Sequence, residues 1–231
     1  MAEIKKRLQT VLQQIRAAET AENRPPESVK LLAVSKTWPA DKLRELALAG
    51  QQDFGENYLQ EALSKIVDLA DLALTWHFIG PIQSNKTRDI ATHFDWVHSV
   101  DRLKIAERLS TQRNNNLAPL NICLQVNIDA EDSKAGVTAD ALLNLATDVA
   151  KLPHLQLRGL MVIPQATDNV AAQHDAFQRS FQLYHALQSR FHHIDTLSMG
   201  MSADLTAAIA EGSTMVRIGT ALFGQRHTHK P

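Results

Sequence analysis

The chain has a single cysteine, Cys123, in 231 residues. A lone thiol builds neither a disulfide framework nor a cysteine-rich zinc site. Charge of one sign is missing too: 24 Lys and Arg stand against 25 Asp and Glu, a formal net charge of −1. A duplex nucleic-acid binder normally carries a basic excess or stripe. No apolar run approaches the roughly 18 residues that mark a spanning helix, and MAEIKKRLQT at the N-terminus has no apolar core of the secretory kind. These absences predict a cytoplasmic protein with neither nucleic-acid nor membrane partners. The ten histidines are scattered without an HExxH pair, and His192, His193, His227 and His229 read as solvated surface or tail, so no metal is expected. A GxSxG elbow and a GxxxxGK loop are also lacking, which removes the main signatures of serine hydrolases and P-loop proteins.

What the sequence does contain is a rhythm. A first segment, 2–20, puts Ile4, Leu8, Val11, Leu12 and Ile15 on one helical face and stops before Arg24-Pro25-Pro26. Short strand-like runs then alternate with segments of helical period. The strands are expected at 31–35, 53–57, 76–80, 95–100, 120–128, 155–163, 196–199 and 214–219. Helices are expected at about 41–49, 58–70, from Ser84, 101–112, 139–151, 169–191 and 203–211. That makes eight β/α units after one leading helix. It predicts a single α/β domain over 1–231, a (β/α)8 barrel at about 31–224 preceded by the helix at 2–20, with its site at the C-terminal strand ends. An open doubly wound sheet is the competing topology.

Several strands alternate tellingly. Cys123, Gln125 and Asn127 oppose Leu124, Val126 and Ile128; Gln156 and Arg158 oppose Leu155 and Leu157; Met215 and Arg217 oppose Val216 and Ile218; His77 lies between Trp76 and Phe78. Strands buried on both faces read as continuous apolar runs. A polar face repeated on four strands predicts a polar cup inside the barrel, although each residue alone also fits a local hydrogen bond.

Lys36 directly follows LLAVS and belongs at the end of the first strand. Its amine is a nucleophile when burial or nearby cations lower its pKa; otherwise it is a solvated lysine at a loop junction. The segment LSMGMSADL (197–205) offers Ser198, Gly200 and Ser202 where a strand enters a helix, a setting for an anion or simply an N-cap. RIGTALFG (217–224) adds Gly219 and Thr220 after the last strand, and barrels commonly bind phosphate with the loops after strands seven and eight. Arg217 suits a phosphate, a carboxylate or a ring nitrogen, or else a buried salt bridge. Asn57, in GEN (55–57), either turns toward the cup or marks a turn. The SNK at 84–86 is read as a helix start and Cys123 as a buried, inert thiol.

These blocks match a known pattern. LLAVSK (31–36), FGENYLQEA (54–62), WHFIGPIQSNK (76–86), His98-Ser99, RGLM (158–161), LSMGMSADL (197–205) and GSTMVRIGTALFG (212–224) resemble, in order and over about 2–224, the YggS/PROSC family of pyridoxal 5′-phosphate (PLP) homeostasis proteins. The resemblance implies a fold type III barrel similar to the N-terminal domain of alanine racemase. It further implies a PLP Schiff base on Lys36 and Arg217 facing the pyridine nitrogen. Ser198, Gly200, Met201, Ser202, Gly219 and Thr220 would lie around the phosphate, and Asn57 and His77 near the ring. Trp38 departs from the pattern, standing where many relatives have a second lysine. Lys134, in EDSKAG (131–136), matches a family lysine on a loop.

The resemblance implies a carrier that supplies PLP without robust catalysis of its own, with PLP-dependent apoenzymes as recipients; without the second domain that completes the racemase dimer site, a monomer is expected. One rival is a small amino-acid racemase, which needs a second acid/base opposite the lysine. Alanine racemases take that group from a further β-domain, and none is expected in the few residues after RIGTALFG. The two tyrosines here, Tyr58 and Tyr184, are not evident matches. A Schiff-base aldolase of phosphorylated sugars is a third reading, separated from the others by lacking a cofactor.

Overall fold

The computed structural model describes residues 2–131 and 134–225. His227, His229 and the rest of 226–231 lie outside the described residues. Eight parallel strands close into one barrel in sequence order. They are β1 (Lys30–Val34), β2 (Asp53–Glu56), β3 (Thr75–Phe78), β4 (Trp96–Val100), β5 (Leu120–Val126), β6 (Leu155–Val162), β7 (Thr196–Ser198) and β8 (Met215–Ile218). The helices are α1 (Ala2–Ala21), α2 (Ala40–Leu48), α3 (Leu59–Asp68), α4 (Thr87–His93), α5 (Leu103–Gln112), α6 (Ala139–Val149), α7 (Val170–Gln188), α8 (Leu205–Ala210) and α9 (Thr220–Phe223). Every expected strand is present, and the closed order decides against the open sheet. Two details differ from the sequence reading. The segment from Ser84 starts as a 3₁₀ turn before α4, and Thr220 opens an extra short helix, α9.

The strand alternation sorts the core into two compartments. Leu31, Ala33, Phe54, Trp76, Phe78, Ile122, Leu124, Leu160, Leu197, Val216 and Ile218 belong to one large apolar cluster shared with the helices. Trp96, Cys123 and Met161 form a separate buried cluster inside the barrel. Burying a large aliphatic or aromatic side chain contributes roughly 1.5–3 kcal/mol, so the outer layer supplies most of the driving force. The inner face is then free to carry polar groups, which is what the alternation predicted.

β6 and β7 approach closely at one glycine. Gly159 has φ +153°, and a Cβ there would land on the Thr196 carbonyl oxygen. At the N-terminal end Arg158 closes the interior. It pairs with Asp195, donates to Asn121 Oδ1 at 2.8 Å and lies 4.9 Å above the Trp96 ring. Helix α1 packs Ile4, Leu8, Val11, Ile15 and Ala18 inward, and its buried Glu19 accepts from Val29 N at 2.7 Å, fixing the approach to β1.

Candidate functional site

The C-terminal ends of β1, β7 and β8 are neighbours, because β8 pairs with both of the other strands. This brings together the segments carrying Lys36, Ser198–Ser202 and Arg217–Thr220. A Cβ on Gly219 would come within 3.2 Å of the Val34 carbonyl, so the end of β8 rests against the end of β1.

Lys36 is half-buried and is held from both sides. Before it, Ser35 Oγ donates to Glu56 Oε1 at 2.6 Å, and Lys65 Nζ donates to the Ser35 carbonyl at 2.8 Å. After it, Thr37 N donates to Glu61 Oε1 at 2.5 Å, with Thr37 at φ +69°. Lys65 joins the two carboxylates, at 2.7 Å from Glu56 and 2.5 Å from Glu61. Glu56 and Lys65 are both buried, and burial pushes the Glu56 carboxyl above its ordinary value while Lys65 and Ser35 pull it down. A non-glycine residue at positive φ costs of order 1–3 kcal/mol and persists where its surroundings over-determine it. Helix α3 therefore works as a clamp on the loop that carries Lys36.

Arg217 is buried in the barrel interior. Its Nη1 donates to the Ser198 carbonyl at 2.7 Å and to Ser198 Oγ at 2.9 Å, and its Nη2 donates to the Val162 carbonyl at 2.8 Å. Among the described residues no carboxylate hydrogen-bonds to it, so the salt-bridge alternative does not apply. Burial lowers its pKa to about 10, which still leaves it a cation at neutral pH. From Ser198 a polar chain crosses the barrel. His98 Nδ1 lies 3.1 Å from Ser198 Oγ, His98 Nε2 lies 2.9 Å from His77 Nδ1, and His77 Nε2 lies 3.0 Å from Asp53 Oδ1. His77 is thus inside the cup, stacked on Trp96, and connects to Arg217 through His98 and Ser198.

The loop after β7 turns at Gly200, with φ +93°; a Cβ there would sit 2.5 Å from Ala208 Cβ, so only glycine fits. The Gly200 carbonyl accepts from Arg217 N at 2.9 Å, and Met201 N donates to Asp204 Oδ1 at 2.5 Å. Met201, Ser202 and Thr220 are exposed at the mouth, while Ser198 is buried with its hydroxyl engaged by His98 and Arg217. Asn57 follows β2, and its Oδ1 is buried with no hydrogen-bond partner among the described residues. It borders a cavity of about 370 Å³ together with Tyr58, Pro81, Gln83 and Lys86. Ser202 borders another of about 390 Å³, against Gln14 and Ala17 of α1.

Other singled-out residues have structural positions. Trp38 stacks on Phe223 with ring centroids 5.6 Å apart, tying the β1 loop to α9. Lys134 pairs with Glu131 at 2.5 Å. Cys123 is buried and its thiol is pushed far up by desolvation, in keeping with an inert role. The sequence reading gave no role to Asp53, Glu56, Glu61, Lys65 or His98. The alternation Trp96–His98 carried a signal for the last, since it puts His98 on the polar face of its strand.

The chain matches the family described as alanine racemase, N-terminal domain, over residues 7–227. It belongs to that family. Within it, the chain is 59% identical to the pyridoxal phosphate homeostasis protein of Pseudomonas aeruginosa, over 100% of this chain and 99% of that protein. It is also similar to the structure of PipY from Synechococcus elongatus PCC7942 with PLP bound, at 40% identity and a TM-score of 0.84, covering 96% of this chain and 100% of PipY. Alanine racemase from Corynebacterium glutamicum shares the fold at 17% identity, with a TM-score of 0.64, over 97% of this chain and 64% of the racemase. As a member of the alanine racemase N-terminal domain family the chain has the barrel that the sequence predicted, and no described helix is long and apolar enough to cross a membrane.

Proposed function

We propose that this chain is a PLP homeostasis protein, holding PLP at the C-terminal mouth of the barrel without robust catalysis of its own. The observation that carries the reading is Arg217: a buried cation, hydrogen-bonded among the described residues only to neutral groups, on the strand beside the one that presents a clamped Lys36. A buried guanidinium that hydrogen-bonds to no carboxylate among the described residues, with Asp204 acting on it only through space, has donors left for an acceptor. The partnerless Asn57 Oδ1 calls for a donor. The glycine-lined turn at Gly200 leaves backbone accessible. The guanidinium and the turn fit a phosphorylated pyridine, whose ring nitrogen and phosphate oxygens accept; Asn57 Oδ1 needs a donor that an unprotonated ring nitrogen and a dianionic phosphate do not supply.

PLP supplies an aldehyde that condenses with an amine, and a ring that withdraws electrons. In this reading Lys36 provides the amine. Arg217 faces the ring nitrogen, where a permanent donor keeps that nitrogen unprotonated and the ring a weak electron sink. Gly200, Met201, Ser202, Gly219 and Thr220 surround the phosphate, with Ser198 beneath them joining that loop to Arg217. Asn57 borders the ring and His77 stands behind it. Tyr184 is a poor second acid/base: it is buried on α7, its hydroxyl accepts from Gln188 at 2.9 Å, and burial raises its pKa to about 12. The protein acts in the cytoplasm as a monomer and passes PLP to PLP-dependent apoenzymes. The domain is the whole chain.

The test is retention through gel filtration. The protein should keep one equivalent of PLP, lose pyridoxal, which lacks the phosphate, and restore activity to a PLP-dependent apoenzyme. It should not racemise alanine. Equal retention of pyridoxal and PLP would remove the phosphate cradle, and a turnover like that of a racemase would replace the carrier reading.

A further inference from the structure

The polar chain through the barrel has a direction that follows from hydrogen-bond chemistry. Asp53 lies at the first position of β2, at the N-terminal end of the barrel, with its side chain 28% exposed. An ionised carboxylate only accepts, so His77 Nε2 carries the proton that faces it. Buried imidazoles are held neutral, and desolvation lowers the pKa of both His77 and His98. A neutral imidazole with one nitrogen donating must accept at the other. His98 Nε2 therefore donates to His77 Nδ1, and Ser198 Oγ donates to His98 Nδ1. The Ser198 oxygen is left to accept from Arg217 Nη1. Every bond points the same way, from the guanidinium at the mouth to the carboxylate at the opposite end.

We propose that His98 and Ser198, backed by His77 and Asp53, are positioning residues for Arg217: they form a one-way hydrogen-bond chain that fixes the guanidinium plane and connects it to a distant carboxylate. Arg217 has no carboxylate within hydrogen-bond reach among the described residues; Asp204, in the loop after β7, acts on it only through space, and the chain connects it by hydrogen bonds to a second carboxylate at the far end of the barrel. Each donor in such a series strengthens the next acceptor. Because arginine does not release its proton, the chain orients and polarises; it does not deliver a proton to the mouth. The proposal rests on the reading that Arg217 faces the ring nitrogen of PLP.

Two measurements test it. Without cofactor, imidazole nitrogen NMR at neutral pH should find both His77 and His98 as the neutral Nε2–H tautomer. An Nδ1–H tautomer at His98 would reverse the chain and overturn the proposal. With cofactor, His98→Leu keeps the volume but removes both hydrogen bonds, and should shift the visible absorption of the bound PLP and weaken its retention by about tenfold, the lower end of what losing an orienting partner costs at metal sites. His98→Gln retains one acceptor and one donor and should restore most of both. A His98→Leu protein that loads and absorbs like wild type would refute the positioning role while leaving the PLP reading intact. A wild-type protein that takes up no PLP would overturn that reading, and this proposal with it.

Discussion

Arg217 and the residues around it show how a buried charge is accommodated by neutral groups. Two carbonyls and one hydroxyl accept from it, the carboxylate that acts on it through space is Asp204, and the polar chain reaches a second carboxylate, Asp53, three side chains away. Asp204 is placed differently, accepting from Met201 N in the loop assigned to the phosphate. A dianionic phosphate must displace or face that carboxylate. Asp204→Asn keeps an acceptor for Met201 and removes the charge, so PLP should bind about tenfold more tightly, read by titration of the visible absorption; this corresponds to ~1.4 kcal/mol. The two interior histidines give a pH dependence. Desolvation depresses His77 and His98, with Asp53 and Asp95 drawing His77 upward and Lys30 pushing it down. The unfolded chain takes up protons near pH 6.5 while the fold does not, so stability is full above about pH 6.5 and falls below it, by up to ~1.4 kcal/mol per pH unit for each such histidine. Thermal unfolding between pH 8 and pH 5 should show this decline, and His98→Gln should make it shallower. An unchanged slope in that variant would mean that His98 titrates alike in both states.

At the scale of elements, α3 and the β6–β7 seam bear the most specific demands. Lys65 bonds Glu56 Oε1, Glu61 Oε1 and the Ser35 carbonyl at once, so Lys65→Met strands a buried carboxylate and should cost about 3 kcal/mol in urea unfolding. Replacing Glu56 by Gln in the same chain should recover part of that loss, because the two side chains act as a unit. Gly159→Ala should fail to give a folded protein, since its Cβ and the Thr196 carbonyl oxygen occupy the same space. Circular dichroism of the purified variant is sufficient to decide this. The elements themselves were legible in the sequence, because period-2 and period-3.6 patterns report burial locally. The clamp was not: Ser35, Glu56 and Lys65 meet only after β1, β2 and α3 are packed. The chain from Asp53 to Ser198 was hidden for the same reason, since His98 and Ser198 are 100 residues apart and on strands that are not neighbours. The alternation put His77 on the polar face and the resemblance assigned it to the ring, but neither revealed its partners.

For the molecule as a whole, closure of the sheet removes every free strand edge of the barrel, leaving no exposed ladder to pair with a second copy. That supports the proposed monomer, and light scattering on the eluting protein should give a mass near 25.6 kDa. A stable dimer would require a helix face to be the contact. The division of labour across the fold is simple: the outer apolar shell holds the barrel together, and the polar interior is committed to the mouth. That interior was foreseen as a cup from strand alternation, whereas its connectivity depended on register. The proposed function turns on Lys36 as the amine that takes PLP. Its most direct test is borohydride reduction of the PLP-loaded protein, followed by peptide mass mapping. A bleached visible band and one phosphopyridoxyl group on Lys36 are expected, with none in Lys36→Ala. A reduced adduct on another lysine, or a band that persists in Lys36→Ala, would contradict it.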